Sequence, residues 1–227
     1  MTVLLATNND HKRRELAQIL TGHNVSLPRE FGIDFSFEES GSTFLENAFG
    51  KARALSDLVS AADDRAIIAD DFAIVADDFA IIADDFAIVA DDSGLCVNAL
   101  DGAPGIYSAR YGSPDGGTTE LPAAERNARL LGELGDTVDR AAHFVCCMVV
   151  LVSADRYAVV QETFEGNIAR EPFGHGGFGY DPIFFLPEHG MTVAELPDNE
   201  KNLISHRGKA ARGIAAILAS MTGTYQA

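Results

Sequence analysis

The residues best equipped for chemistry are carboxylates in adjacent pairs. Asp91-Asp92-Ser93-Gly94 follows a short apolar run, and Glu38-Glu39-Ser40-Gly41 closes another stretch of extended character. Paired carboxylates at a strand end can hold a divalent cation or take a proton from water. Asp, Ser and Gly are also turn formers, so each pair alone is equally a solvated turn. A second group of residues suits phosphate. Thr7-Asn8-Asn9-Asp10-His11-Lys12 offers short polar side chains, backbone N–H groups and a lysine where a helix begins. Near the C-terminus, Phe173 to Pro182 reads FGHGGFGYDP, with glycines that let backbone approach a ligand and with Phe178 and Tyr180 as candidate stacking faces. Lys201 and the His206-Arg207 pair add donors for carbonyl or phosphate oxygens.

These residues need elements to carry them. Val3 to Ala6 reads as a buried strand, and a helical pattern runs on from Lys12 with Leu16, Ile19 and Leu20 on one face. Strand, polar loop and helix together present helix N–H groups to an anion. Phe31 to Glu39 reads as extended. A helix then starts at Thr43, with Glu46 three residues on as a capping box and Phe44, Ala48, Ala52, Leu55 and Val59 as its apolar stripe. Further on, the pattern predicts a loop at Gly102-Ala103-Pro104-Gly105 and a helix over about Ala123 to Leu134. Strands follow over about His143 to Val152 and Tyr157 to Phe164, paired as an antiparallel hairpin. A short strand at Ile183 to Leu186 and a final helix from near Ser205 complete a mixed α/β arrangement.

Residues 66–92 interrupt this ordinary pattern with four near-identical heptads, AIIADDF AIVADDF AIIADDF AIVADD. A seven-residue period could be a helix with a narrow Asp stripe, but Ile and Val favour extended structure, and four apolar residues before Asp-Asp fit short strands between turns, so the segment reads as extended or irregular. Only the last Asp pair is followed by Ser-Gly, which singles out Asp91-Asp92 from Asp70-Asp71, Asp77-Asp78 and Asp84-Asp85.

Composition excludes several classes of function. The chain has 227 residues, 47 % of them hydrophobic and 22 % charged, which suits one folded domain over residues 1–227 with an insertion at about 66–87. A formal net charge of −17 argues against general nucleic-acid binding, which needs a basic surface. No run approaches the roughly 18 apolar residues of a membrane helix, and the N-terminus has neither the basic nor the long apolar region of a signal peptide. Three cysteines without framework spacing read as reduced thiols of a cytoplasmic protein.

Six segments in order, ATNNDHK, EESGSTFLENA, IVADDSGL, GAPGIYSARY, GGFGYDPIFF and EKNLISHRG, resemble the non-canonical purine nucleoside triphosphate pyrophosphatases, the inosine/xanthosine triphosphatase or HAM1-like family. They run from residue 6 to residue 208. The departure from the family pattern is the repeat, where one strand copy is expected. The resemblance implies a mixed twisted sheet flanked by helices, with two lobes and the active site in the cleft between them. It implies Mg2+-dependent hydrolysis of ITP, dITP and XTP to monophosphate and pyrophosphate, in a homodimer. Carried onto this chain, Thr7, Asn8, Asn9, Asp10, His11 and Lys12 would cradle the triphosphate. Glu38 and Asp92 would hold Mg2+, with Glu39 or Asp91 sharing the task. Asp92 would also be the base for the attacking water. Ser93 would contact the nucleotide, and Phe178, Gly179, Tyr180, Asp181, Lys201, His206 and Arg207 would form the base pocket. Two rivals stand beside this reading: a Maf-like or dUTP-directed pyrophosphatase, and an interaction module built by the repeat with its catalytic site disabled.

Overall fold

The structure is a computed structural model that describes residues 1–61, 68–69, 72–73, 86–115, 118–153 and 155–222. In chain order its main elements are β1 (Thr2–Leu5), α1 (Asp10–Ile19), β2 (Asn24–Ser26), α2 (Phe44–Ala61), β3 (Ile68–Ala69), β4 (Phe72–Ala73) and β5 (Phe86–Val97). After these come α3 (Ala123–Leu134), β6 (Ala141–Ser153), β7 (Arg156–Ile168), β8 (Phe184–Leu186), β9 (Met191–Thr192), α4 (Asp198–Ile204) and α5 (His206–Thr222). Seven strands form one sheet in the order β2-β1-β5-β6-β7-β8-β9. β1 runs parallel to both β2 and β5, whereas β8 is antiparallel to β7 and β9. The sheet is therefore mixed, and the fold is α/β.

Ala87 to Asp92, the fourth heptad, lies in β5 and pairs with β1 through Val3↔Ala87, Leu4↔Ile88 and Leu5↔Val89. Every residue from Ala87 to Asp92 is at least 95 % buried. Burial on both faces explains the unbroken apolar run, because a parallel strand inside a sheet has no solvent face to alternate with. The reading of the first three heptads as an extended insertion falls almost wholly outside the described residues. The exception is a short antiparallel ladder, Ile68↔Ala73 and Ala69↔Phe72.

The chain divides into two compact units, one of Met1–Asp92, Cys147–Gln161 and Ala210–Ala227, the other of Ser93–Cys146 and Glu162–Lys209. The first has its core where Ala48, Ala52, Leu55 and Val59 of α2 meet Leu4, Ile88 and Val149. Burying a side chain such as Leu55 or Val59 contributes about 1.5–3 kcal/mol. In the second unit, Leu130 and Leu134 of α3 pack with Leu95, Val97 and an aromatic group. In that group Phe184 lies 4.6 Å from Phe144 and 5.6 Å from Phe164, centroid to centroid.

Three elements differ from the sequence expectation. α1 begins at Asp10, two residues early, because Asn9 caps it. The capping box of α2 is shifted: Thr43 Oγ1 accepts from Glu46 N–H, but Glu46 reaches back to the N–H and hydroxyl of Ser42. Lys201 sits on a helix of its own, α4, which the short polar run 198–204 did not reveal. Among the described residues no helix is long and apolar enough to cross a membrane.

Candidate active site

The first unit concentrates charge around the end of its β5 segment. Asp91 and Asp92 are both buried, and as consecutive strand residues they address different partners. Asp91 Oδ1 lies 3.0 Å from Lys12 Nζ. Asp92 Oδ1 accepts from Lys51 Nζ at 3.1 Å, and Asp92 Oδ2 accepts from Asn47 Nδ2 at 3.0 Å. Lys51 also pairs with Glu39 and donates to the Asp91 carbonyl at 3.2 Å. Burial pushes the Asp92 carboxyl above its ordinary range and the Glu39 charge adds to this, against the pull of Lys51, Lys12 and the Asn47 hydrogen bond. Burial alone would lower Lys51, but the carboxylates of Asp92, Glu39 and Asp91 outweigh it and its pKa is raised.

The polar run before α1 is mostly scaffold. Asn9 Oδ1 accepts from the N–H groups of His11 and Lys12, the donors that sequence offered to phosphate. Thr7 Oγ1 accepts from Asn9 N–H, and Asn8 Nδ2 donates to the Phe35 carbonyl at 2.7 Å. Asp10 pairs with Arg29, which also donates to the Asn8 carbonyl. Among the acidic residues of the following loop, Glu39 is half-buried on Lys51 while Glu38 is exposed.

The second unit gathers a different set. Asp181 Oδ2 accepts from Phe178 N–H at 2.7 Å and from Lys201 Nζ at 2.8 Å. Gly177 has φ +68°, and a Cβ there would lie 2.1 Å from Asp181 Oδ2, so only glycine fits this turn. The Phe178 ring has Lys201 Nζ 4.5 Å and the Arg207 guanidinium 5.4 Å from its centroid. His206 stacks on Phe144 at 4.7 Å with 6° between the rings. Gly179 takes the left-handed backbone and its carbonyl accepts from Asn127 Nδ2. Tyr180 corrects the expectation of a second stacking face. It is buried, and its hydroxyl donates to the Ser108 carbonyl at 2.9 Å, so it anchors the loop in the core. Ser93 is half-buried and opens the second unit's share of β5.

The sequence profile of the Ham1 family matches residues 3–81 and 73–217, two stretches that overlap inside the heptad repeat. The chain belongs to the Ham1 family. It is 45 % identical over 222 residues to a dITP/XTP pyrophosphatase of Treponema denticola, an alignment that covers 96 % of this chain and 98 % of that one. It is 42 % identical over 215 residues to a dITP/XTP pyrophosphatase of Shigella flexneri, covering 92 % of this chain and 93 % of that one. Among solved structures, a HAM1 protein from Coxiella burnetii superposes with a TM-score of 0.77 at 34 % identity, covering 97 % of this chain and 99 % of that one.

In this Ham1 chain, Asn47 and Lys51 are site residues that pattern reading passed over. Their signal was present, since both fall within the apolar stripe of α2, where a buried amide and a buried ammonium need a reason. Ser108 and Asn127 gave no such signal, because only the fold brings them to Tyr180 and Gly179. Among the described residues no group of three or more His, Cys, Asp or Glu side chains is arranged to hold a metal ion. The donors around Asp92 are nonetheless carboxylate oxygens, and Mg2+ commonly takes one or two of these and completes its shell with water and substrate phosphates. The donor set fits that kind of site.

Proposed function

We propose that this protein hydrolyses ITP, dITP and XTP between the α and β phosphates, consuming water and releasing the monophosphate and pyrophosphate. The observation that carries this reading is the buried Asp92 carboxylate, held at one oxygen by Lys51 and at the other by Asn47, beside the Lys12–Asp91 pair. The printed activity of the relatives from Treponema denticola and Shigella flexneri supports the substrate class.

Asp92 accepts the proton of the attacking water. Lys12 exchanges Asp91 for phosphate oxygen and, with the residues from Thr7 to His11, binds the triphosphate. Asp92 with Glu39 would hold Mg2+, with Glu38 as an alternative to Glu39 from the same loop. Bound there, the ion would neutralise phosphate charge and polarise the attacked phosphorus. Ser93 contacts the nucleotide. Phe178 receives the base, and donors on Lys201, His206, Arg207 and the backbone at Gly179 meet the 6-oxo group. Adenine carries an amine there and would leave those donors unpaired, a mismatch that rejects by orders of magnitude. Asp181 and Tyr180 hold the loop that presents Phe178. The reading extends to a cytoplasmic homodimer; the absence of a disulfide among Cys96, Cys146 and Cys147 accords with a reducing compartment.

Pyrophosphate release from ITP, dITP, XTP, ATP, GTP and dUTP, with Mg2+ and with EDTA, tests the reading. Metal-dependent cleavage of the first three in preference to the others is the expected result; GTP shares the 6-oxo group, so its rejection has to come from its 2-amino group. Preference for dUTP would move the chain to a pyrimidine-directed activity, and no cleavage by folded protein would point to an interaction role.

A further inference from the structure

Asn47 is a fully buried polar side chain on a helix face that it shares with Lys51 and the apolar Ala48, Ala52, Leu55 and Val59. An unsatisfied amide there would be costly, so its partners matter. It has two, on different segments. Its Nδ2 donates to Asp92 Oδ2 at 3.0 Å, and its Oδ1 accepts from the Gly41 N–H at 2.9 Å. One partner is an acceptor and the other a donor, so only one orientation of the amide satisfies both.

Lys51, one helical turn on, takes the other Asp92 oxygen. Lys51 Nζ divides itself between Asp92, Glu39 and the Asp91 carbonyl, whereas Asn47 Nδ2 is directed at the Asp92 carboxylate. On the loop side the fit is close. A Cβ at Gly41 would lie 2.7 Å from Asn47 Oδ1, so the backbone at this position approaches the amide as only glycine permits.

We propose that Asn47 is a positioning residue for the reaction: its amide sets the register of the acidic 38–41 loop against the Asp92 carboxylate, through Gly41 N–H on one side and Asp92 Oδ2 on the other. The inference rests on the proposed pyrophosphatase activity for its kinetic part. It makes α2 a two-point grip on Asp92, in which Lys51 supplies charge and Asn47 supplies direction. It also ties Glu38 and Glu39 to the carboxylate with which they would share a cation.

Two variants of the full chain separate this role from simple tethering. Asn47→Ala removes both bonds and suits a helix interior. Asn47→Asp keeps an acceptor for Gly41 N–H and loses the donor to Asp92. Both should lower kcat for ITP per folded molecule by about 10- to 100-fold, as loss of an outer-shell partner does, with KM changed less than about threefold. Mn2+ affinity, followed by its electron paramagnetic resonance signal, should weaken about tenfold or more in both. Melting curves report how much protein is folded. If Asn47→Asp keeps wild-type kcat and Mn2+ affinity while Asn47→Ala loses them, the Gly41 tether suffices and the proposal is overturned. Wild-type behaviour in both variants overturns it as well. A wild-type chain that releases no pyrophosphate removes the proposed activity instead, and the Mn2+ titration then decides the role of Asn47 by itself.

Discussion

Each compact unit buries a lysine–aspartate pair, and the two pairs differ in the charge that surrounds them. Lys51 and Asp92 in the first unit, and Lys201 and Asp181 in the second, are all at most 9 % exposed at the side chain. Around Asp92 the carboxylates of Glu39 and Asp91 join in, and acids outnumber the lysines Lys12 and Lys51. Around Asp181 the balance reverses, because Lys201 and Arg207 both lie over the Phe178 ring and Lys201 pairs with the carboxylate. A surplus of buried negative charge calls for a cation, and a surplus of donors beside an aromatic face calls for a flat, oxygen-bearing ring. An acidic protein can in this way serve a highly anionic substrate without a basic surface.

The largest expected effect breaks the comparison on the acidic side. Asp92→Asn keeps the shape and still offers an oxygen to Lys51, but it cannot take a proton. Its kcat for ITP should fall by about 10^2- to 10^4-fold, the range in which positioned acids and bases contribute. Single-turnover pyrophosphate release would measure it, and a fall of less than tenfold would remove Asp92 from the chemistry.

A smaller effect is expected on the aromatic side. Phe178→Ala removes the ring between Lys201 and Arg207, and base stacking on an aromatic side chain is worth about 1–3 kcal/mol. KM for ITP should therefore rise about 5- to 150-fold, with kcat changed much less. Steady-state kinetics on ITP and XTP would show the split. Should kcat fall and KM stay put, Phe178 would belong with the carboxylates and the division of labour would be lost.

Much of this arrangement was legible in the sequence, but unevenly. Local patterns marked β1, the stripe of α2, the exact extent of α3 and the Asp91-Asp92 pair, because each expresses a short-range rule of period or capping. The fourth heptad stood apart through its Ser-Gly neighbour, and it is the copy that lies beside β1. Partnerships across the chain were not legible. Nothing near Tyr180 announces that its hydroxyl will reach Ser108, 72 residues away, and nothing near Asp92 names Asn47, 45 residues earlier. α4 escaped because a helix of seven residues completes fewer than two turns and has little periodicity to show. The capping and ion-pair roles of Asn9 and Asp10 were not legible beside their phosphate reading, because capping residues and phosphate ligands are drawn from the same short polar side chains.

The smallest expected effect sharpens the comparison through a residue with no part in the reaction. Cys147 is fully buried in the first unit, and its thiol is pushed up to about 11, first by burial and then by the charges of Asp92 and Asp91. Cys96 is also raised by burial, but it is half-exposed and has no such carboxylates pressing on it. The thiolate is the reactive form, so a thiol at about 11 is about one part in a thousand ionised at about pH 8. Iodoacetamide on the folded protein should therefore modify Cys96 well before Cys147, as peptide mass spectrometry can follow, while all three cysteines react alike in denaturant. Asp92→Asn removes one of the charges that hold the thiol up, so it should lower the Cys147 pKa and raise its slow rate a few-fold, leaving Cys96 unchanged. Because burial is the first cause of the difference between Cys96 and Cys147, the charge is read from the variant: an unchanged Cys147 rate in Asp92→Asn would mean that the negative charge around β5 does not reach this thiol.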